Sequence, residues 1–436
     1  MQTRLILILF SFLVFISLFC VSASSKTIHV DAAGDGDYEN IQNAIDNATD
    51  GDTIIVNYGT YYGYIEIDKS ISLIGEPLSG NKPIISINQY DSNKDAIITL
   101  NSDNLIIDGF EIQCQLRKYI HETGIEGVTS HTTISNNEIY SGYYGIKISD
   151  TDYAISYENV ITNNLVTKSD SIAIYLPGHD GFNNITDNII KDNNDNGLVL
   201  YFAGNNLIKN NEITGNNGFG LGCFRSSNNE IINNIITNHR GYDFLHSYHS
   251  IHISTDSDNN LIKGNTIKNS DQGIYLWGAS NSTIAGNTIS NNDIGINITK
   301  YCADNKILSS NAFSNNEEDV SGSYIATIDT FQILNFISYI LLILAMIEAI
   351  ILNIFMKKTI SRLKTNHPNE YKKLPKTNSG KIKNIKTYWY VIQNKVDPEN
   401  DLELKKTIKI IKVAWMFGIL AIVAIIFIIA FIIIFF

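Results

Sequence analysis

Cysteine and proline are scarce, with four and six residues among 436. So few cysteines exclude a disulfide-dense scaffold, and so few prolines, beside 29 glycines, exclude collagen-like and proline-rich linker architectures. Charged residues make up only 17% of the chain. Positive charge is short where it would matter for nucleic acid: residues 25 to 330 hold 16 Lys+Arg against 38 Asp+Glu. Affinity for phosphate backbones rests on Lys and Arg, so an acidic body of this length is not a nucleic-acid partner.

What is present first is three apolar runs. Leu5 to Val21 follows Arg4 and passes into Ser22, Ala23, Ser24 and Ser25. A charged start, a short apolar core and a small-residue exit read as a secretory signal over residues 1–24. Residues 331–356 and 413–436 are each long enough to cross about 30 Å of hydrocarbon. Between them, residues 357–412 hold 15 Lys+Arg against 5 Asp+Glu. The positive-inside rule places that loop in the cytoplasm. The acidic body, residues 25–330, is then expected outside the cell, with the two spans forming a C-terminal helical hairpin in the membrane.

The body is internally repetitive. Ile-x-x-Asn-x-Ile, a polar stretch and Gly-Ile-x-Ile recur, with asparagines at Asn137, Asn164, Asn188, Asn211, Asn234, Asn265, Asn287 and Asn311. Their separations are 27, 24, 23, 23, 31, 22 and 24 residues. Apolar pairs follow at Ile146/Ile148, Ile172/Ile174, Leu198/Leu200, Phe219/Leu221, Ile251/Ile253, Ile274/Leu276 and Ile296/Ile298. A period of two inside each unit predicts strands, and the intervening Asn, Gly, Asp and Ser predict turns. A leucine-rich repeat has a similar period. Here β-branched Ile and Thr dominate and no helix-forming run interrupts the strands, which favours an all-β, single-stranded parallel β-helix. Each coil then stacks about 4.8 Å above the last. The recurring asparagine is expected to form a hydrogen-bonded ladder at a tight bend, a structural role.

The start of the body differs. Thr27 to Val30, Asp52 to Val56 and Ile65 to Ile74 read as strands. After Asp37, the residues Tyr38, Ile41, Ala44, Ile45 and Ala48 share one helical face, which predicts a helix capping the open end of the solenoid. The run YENIQNAIDNATDGDTIIVNYGTYYGYIEIDKSISLIGE resembles the opening of pectin-lyase-like right-handed β-helix proteins. The later NNLIKNNEITGNNGFGL units resemble the NosD-like, carbohydrate-binding and sugar-hydrolysis group of parallel β-helix repeats. The resemblance covers about residues 26 to 320 and implies a right-handed β-helix. For function it implies either polysaccharide recognition and processing or, as in NosD-like proteins, an accessory role in copper-site assembly.

Polygalacturonase-like hydrolases carry Asn-Thr-Asp, Asp-Asp and Gly-His-Gly; the body has no Asp-Asp pair, and its nearest match to the last is Gly178-His179-Asp180-Gly181. Lone carboxylates such as Asp150, Asp152, Asp256 and Asp258 follow strands, where Asp serves as a turn residue or contributes to a weak Ca site. The 31-residue spacing after Asn234 carries an insertion that brings His239, His246, His249 and His252 close in sequence. Imidazoles at that density can bind Cu or Zn, although positions three apart alternate faces on an extended strand, so His246, His249 and His252 need a loop to converge. Outward positions of the Gly-Ile-x-Ile strands are Lys147/Ser149, Ala173/Tyr175, Val199/Tyr201, Gly220/Gly222, His252/Ser254, Tyr275/Trp277 and Asn297/Thr299. They predict a saccharide cleft floored by Gly220 and Gly222 and walled by Tyr175, Tyr201, Tyr275 and Trp277, with Arg225 and His252 to hydrogen-bond hydroxyls. The expected partner is therefore a polysaccharide or cell-envelope glycan, and a purely structural or adhesive envelope protein is the alternative.

Overall fold

Three short strands per repeat, three to six residues each, cannot cover an apolar side chain alone; stacking on the next repeat does. The computed structural model describes residues 25–114, 122–140, 142–149, 155–178, 181–239, 248–322, 325–327, 330–374, 401 and 403–411. The signal segment, His246, half of the basic loop and the run 413–436 lie outside the described residues. Two units are present, residues 1–327 and 328–436.

The first unit is a parallel β-solenoid of about 11 turns. Its first sheet has 13 strands, from Thr27–Val30 to Ile325–Thr327, and the second and third have 11 each. The second runs from Thr60–Tyr62 to Ala312–Ser314 and the third from Ile65–Ile67 to Glu318–Gly322. Every strand pairs with the equivalent strand one coil away, so register aligns like with like: Ile134, Ile161, Ile185, Ile208 and Ile231 form one buried row. All five are fully buried in a single apolar core that runs the length of the solenoid.

The asparagine ladder is as expected from the repeat. All eight asparagines are buried, and Oδ1 of each accepts from the backbone and side-chain nitrogens of the one before it. Asn188, for example, donates N–H and Nδ2 to Asn211 Oδ1, both at 3.0 Å, and Nδ2 to Ile161 O at 2.8 Å. A buried amide with every group paired is stable where an unpaired one is costly. The left-handed backbone is not at the ladder asparagine but at the residue before it: Asn136, Asn163, Asp187, Asn210 and Asn233 have φ of 55 to 58°. Two parallel rows escaped the sequence reading. One joins Asn159, Asn183, Asn206, Asn229 and Asn260. The other occupies Asn193, Asn216, His239, Ser270, Asn292 and Asn316.

Near the N-terminus the helix α1 is Ile41–Asn47, with Ile41, Ala44 and Ile45 buried in the solenoid core. Its N-cap is Asn40, whose Oδ1 accepts from Asn43 N at 3.2 Å; Asp37 instead receives the His29 amide at 2.9 Å. The predicted strand Ile65 to Ile74 divides into Ile65–Ile67 of the third sheet and Ser72–Glu76 of the first, because the chain must turn a corner between sheets.

The second unit contains helices α2, Thr330–Asn366, and α3, Pro368–Lys373, and a further helix over 403–411. Met356, Leu363, Leu374, Leu404, Ile408 and Ile411 form its small core. Arg362 Nε donates to Asp401 Oδ2 at 2.8 Å, and that guanidinium holds the Asp401 carboxyl well below the usual carboxylate range. Among the described residues no helix is long and apolar enough to cross a membrane.

Candidate functional site

The outward face of the third sheet collects the chemistry-bearing residues. Register places Glu126, Lys147, Tyr175, Val199, Gly222, His252, Tyr275 and Asn297 in one row. The next outward row is Pro177, Tyr201, Phe224, Ser254 and Trp277. Tyr175 and Tyr275 therefore share one row, and Tyr201 and Trp277 share another. These four predicted wall residues are all on the face, but they do not surround an open floor. Gly220 points inward: a Cβ there would come 2.6 Å from Ile236 Cγ2 and 2.7 Å from His239 Nε2. Ala173 is likewise buried, and Phe219, predicted inward, is half-exposed outside while Cys223 takes the inner place beside Leu221. Over Gly222 lies the ring of Phe224, which a Cβ on that glycine would approach to 2.7 Å.

The predicted cleft is thus filled by a compact aromatic–imidazole cluster. Phe219 stacks on His249 (5.4 Å between centroids, 4° between planes), and Tyr275 stacks on the same imidazole (4.4 Å, 22°). His252 meets Phe219, Phe224 and Tyr275 at 4.5, 5.2 and 5.0 Å. The two imidazoles face each other, Nδ1 to Nδ1, at 3.1 Å, and neither Nε2 has a hydrogen-bond partner. Burial pushes the His249 pKa down to about 3, with His252 adding to the effect, and pushes His252 down to about 4. Both rings are therefore neutral at pH 7.

Spacing alone put positions 249 and 252 on opposite faces, and the structure puts both outside. The reason is a kink at Ser250. Ser250 and Ile251 are both fully buried, and pairing runs from His249↔Gln272 to Ile251↔Ile274 without a partner at the intervening position. Two consecutive residues turn inward there, so the alternation is broken and His249 and His252 both face outward. His246 lies outside the described residues. Arg225 is exposed and stacks its guanidinium 5.0 Å above Phe202, which Tyr201 meets edge-on at 4.7 Å. These three form a group beside the cluster. Trp277 is 44% exposed. Asp258 is a turn residue, accepting from Ser280 N at 2.6 Å. Asp195, not singled out by its sequence context, is half-buried against Gly218, and burial raises its pKa.

Toward the N-terminus the same face becomes polar. A groove of about 380 Å³ is lined by Glu66, Lys94, Asp95, Thr99 and Glu126 among others. Lys94 pairs with Glu66, and Lys147 Nζ donates to Glu126 Oε1 at 2.5 Å. Adjacent to this pair Tyr144 and Tyr175 lie 5.3 Å apart, with the Lys147 ammonium 5.8 Å from the Tyr144 centroid.

A family profile described as periplasmic copper-binding protein (NosD) matches residues 45–244 and 245–329, well over half of the chain. The protein belongs to the NosD family. Its solenoid is accordingly a NosD-like right-handed parallel β-helix. Among solved structures, the A-module of the mannuronan C-5 epimerase AlgE6 of Azotobacter vinelandii superposes with TM-score 0.51 at 15% identity, over 66% of this chain and 88% of the module. The Dettilon tailspike protein gives TM-score 0.46 at 18% identity, over 61% and 56% of the two chains. The periplasmic alginate epimerase AlgG gives 0.37 at 15% identity, over 64% and 77%. At such identities the likeness to the epimerase module is one of fold. No curated protein matches the sequence. Among the described residues of this NosD-family chain, no group of three or more His, Cys, Asp or Glu is arranged to hold a metal ion.

Proposed function

We propose that this NosD-family β-helix recognises polysaccharide along the outer face of its third sheet, on the outer side of a membrane to which the second unit anchors it. The observation that carries the reading is the continuity of one row, from the polar groove at Glu126 through Lys147 to Tyr175. Carboxylate–ammonium pairs offer both acceptors and donors to hydroxyl groups, and neighbouring ring faces suit the apolar faces of pyranose rings. An extended chain lying across the strands would meet a new side chain every 4.8 Å or so. Exposed Trp277 and half-buried Tyr201 extend the surface past the histidine cluster. The membrane part of the reading rests on the sequence alone: the apolar runs 331–356 and 413–436 and the basic stretch between them.

A glycan array followed by calorimetry tests the binding surface. Tyr175→Ala and Trp277→Ala should each weaken binding about tenfold, the worth of one ring–sugar contact of roughly 1.4 kcal/mol, with little change in melting temperature. Unchanged affinity in both variants, or no glycan bound by the unmodified protein, sinks the proposal.

A further inference from the structure

The edge where the third sheet turns toward the first carries unpaired positive charge on an otherwise acidic body. Register aligns Tyr201, Phe224, Ser254 and Trp277 at the strand ends, and the residues that follow them are Phe202, Arg225, Thr255 and Gly278. All four have left-handed backbone, with φ of 58, 51, 44 and 67°, and Gly178 takes the equivalent place one coil earlier. Glycine adopts that conformation freely, whereas a longer side chain, a β-branched threonine above all, is strained in it. Three successive coils keep the strain, and strain of this kind is found where a side chain must be aimed. Here it presents a cation on an aromatic ring. Arg225 is exposed, with its guanidinium 5.0 Å from the Phe202 centroid. Beyond Trp277, after the strand Ile294–Ile298, exposed Lys300 sits 5.1 Å from the Tyr301 centroid. Among the described residues neither cation has a carboxylate partner, unlike Lys94 and Lys147, which Glu66 and Glu126 neutralise.

We propose that this edge binds the carboxylates of an acidic polysaccharide, a chain of uronate pyranoses, and that Arg225 is the residue that selects them over neutral sugars. The inference rests on the glycan reading above and names its substrate class. A guanidinium stacked on a ring keeps its N–H edge for a planar carboxylate, which it meets with two parallel hydrogen bonds. Trp277, on a coil between the two cations, offers a ring to the apolar side of the same sugars. Arg225 and Lys300 are three coils apart, about 14 Å along the solenoid, so a polymer with one carboxylate per sugar reaches both. The negative charge of the body does not forbid this, because exposed charges beyond a Debye length of about 8 Å are largely screened at physiological salt.

The test is calorimetric titration of the full chain in detergent with oligomers of galacturonate, mannuronate and glucuronate, each as the free acid and as its methyl ester. At least one free acid should bind about tenfold more tightly than its ester, and added salt should weaken the acid alone. Arg225→Gln should abolish that preference by weakening the acid and leaving the ester unchanged. Arg225→Gly puts at this position the residue that Gly178 and Gly278 supply on other coils; it should lose the preference equally while the melting temperature stays the same or rises, which separates lost recognition from lost folding. Acid and ester bound equally, or a preference that survives in both variants, overturns the assignment of Arg225. If neutral oligosaccharides bind and Trp277→Ala weakens them while no acid is preferred, the glycan surface stands and only its acidic specificity falls; if no glycan of either kind binds, both fall.

Discussion

His239 occupies a position that most of its row gives to asparagine, and the substitution should make the solenoid acid-sensitive. The imidazole is fully buried. Its Nδ1 lies 3.2 Å from Asn216 O and its Nε2 3.3 Å from Ile213 O. A neutral ring has one N–H, so only one of these carbonyls receives a hydrogen bond at a time. Protonation would satisfy both, yet burial dominates and pushes the pKa down to about 4. In the unfolded chain the same group titrates near 6.5. The folded state therefore binds fewer protons than the unfolded state between these values. Stability is complete above pH 6.5 and falls as pH drops through that window to about 4, where the native ring begins to titrate as well. At about 1.4 kcal/mol per pKa unit, the loss between pH 7 and pH 4 is about 3 kcal/mol. His239→Asn places the row's usual residue at this point and removes the titration. Urea unfolding of both proteins at pH 7 and pH 4 isolates the effect, since all other titrating groups are common to the pair. The unmodified protein should lose about 3 kcal/mol more than the variant. Parallel pH dependences, within about 0.5 kcal/mol, would refute the argument.

The ladder itself can be weighed by comparing neighbours: Asn211→Ala strands the partners at Asn188, Ile185 and Asn234 and should cost about 2–4 kcal/mol, whereas Asn210→Ala, at an exposed left-handed position, should cost about 1 kcal/mol. Equal unfolding midpoints for the two variants would dismiss the ladder as a source of stability. Cys114 and Cys223 are buried free thiols whose pKa burial raises, so a thiol-specific reagent should label half-buried Cys302 first and the other two only on unfolding; rapid labelling of Cys223 in the native protein would contradict its interior placement. If residues 357–412 are cytoplasmic, protease added to intact cells should degrade the solenoid and spare that loop, and external cleavage within the loop would overturn the charge-based topology.

Repetition made the fold legible. A spacing near 23 residues, with isoleucine alternation and a recurrent asparagine, leaves few architectures, because each unit can bury its face only on a copy of itself. The inner rows and the main ladder follow from that periodicity one residue at a time. Periodicity fails where two consecutive strand residues both turn inward. The break at Ser250 brings His249 onto the outer face beside His252, and its counterparts at Gly220 and Ala173 turn positions expected outward into the core. Phe219 was missed for the same reason: it reads as a core residue of an alternating strand, and only the register of neighbouring coils shows that it stands outside against two imidazoles. Residue type and spacing therefore determined that this chain winds into a parallel solenoid and which side chains are scarce enough to carry chemistry. Which of those side chains meet was decided by tertiary structure, because a one-residue shift, invisible in the repeat, moves a side chain from the core to the surface.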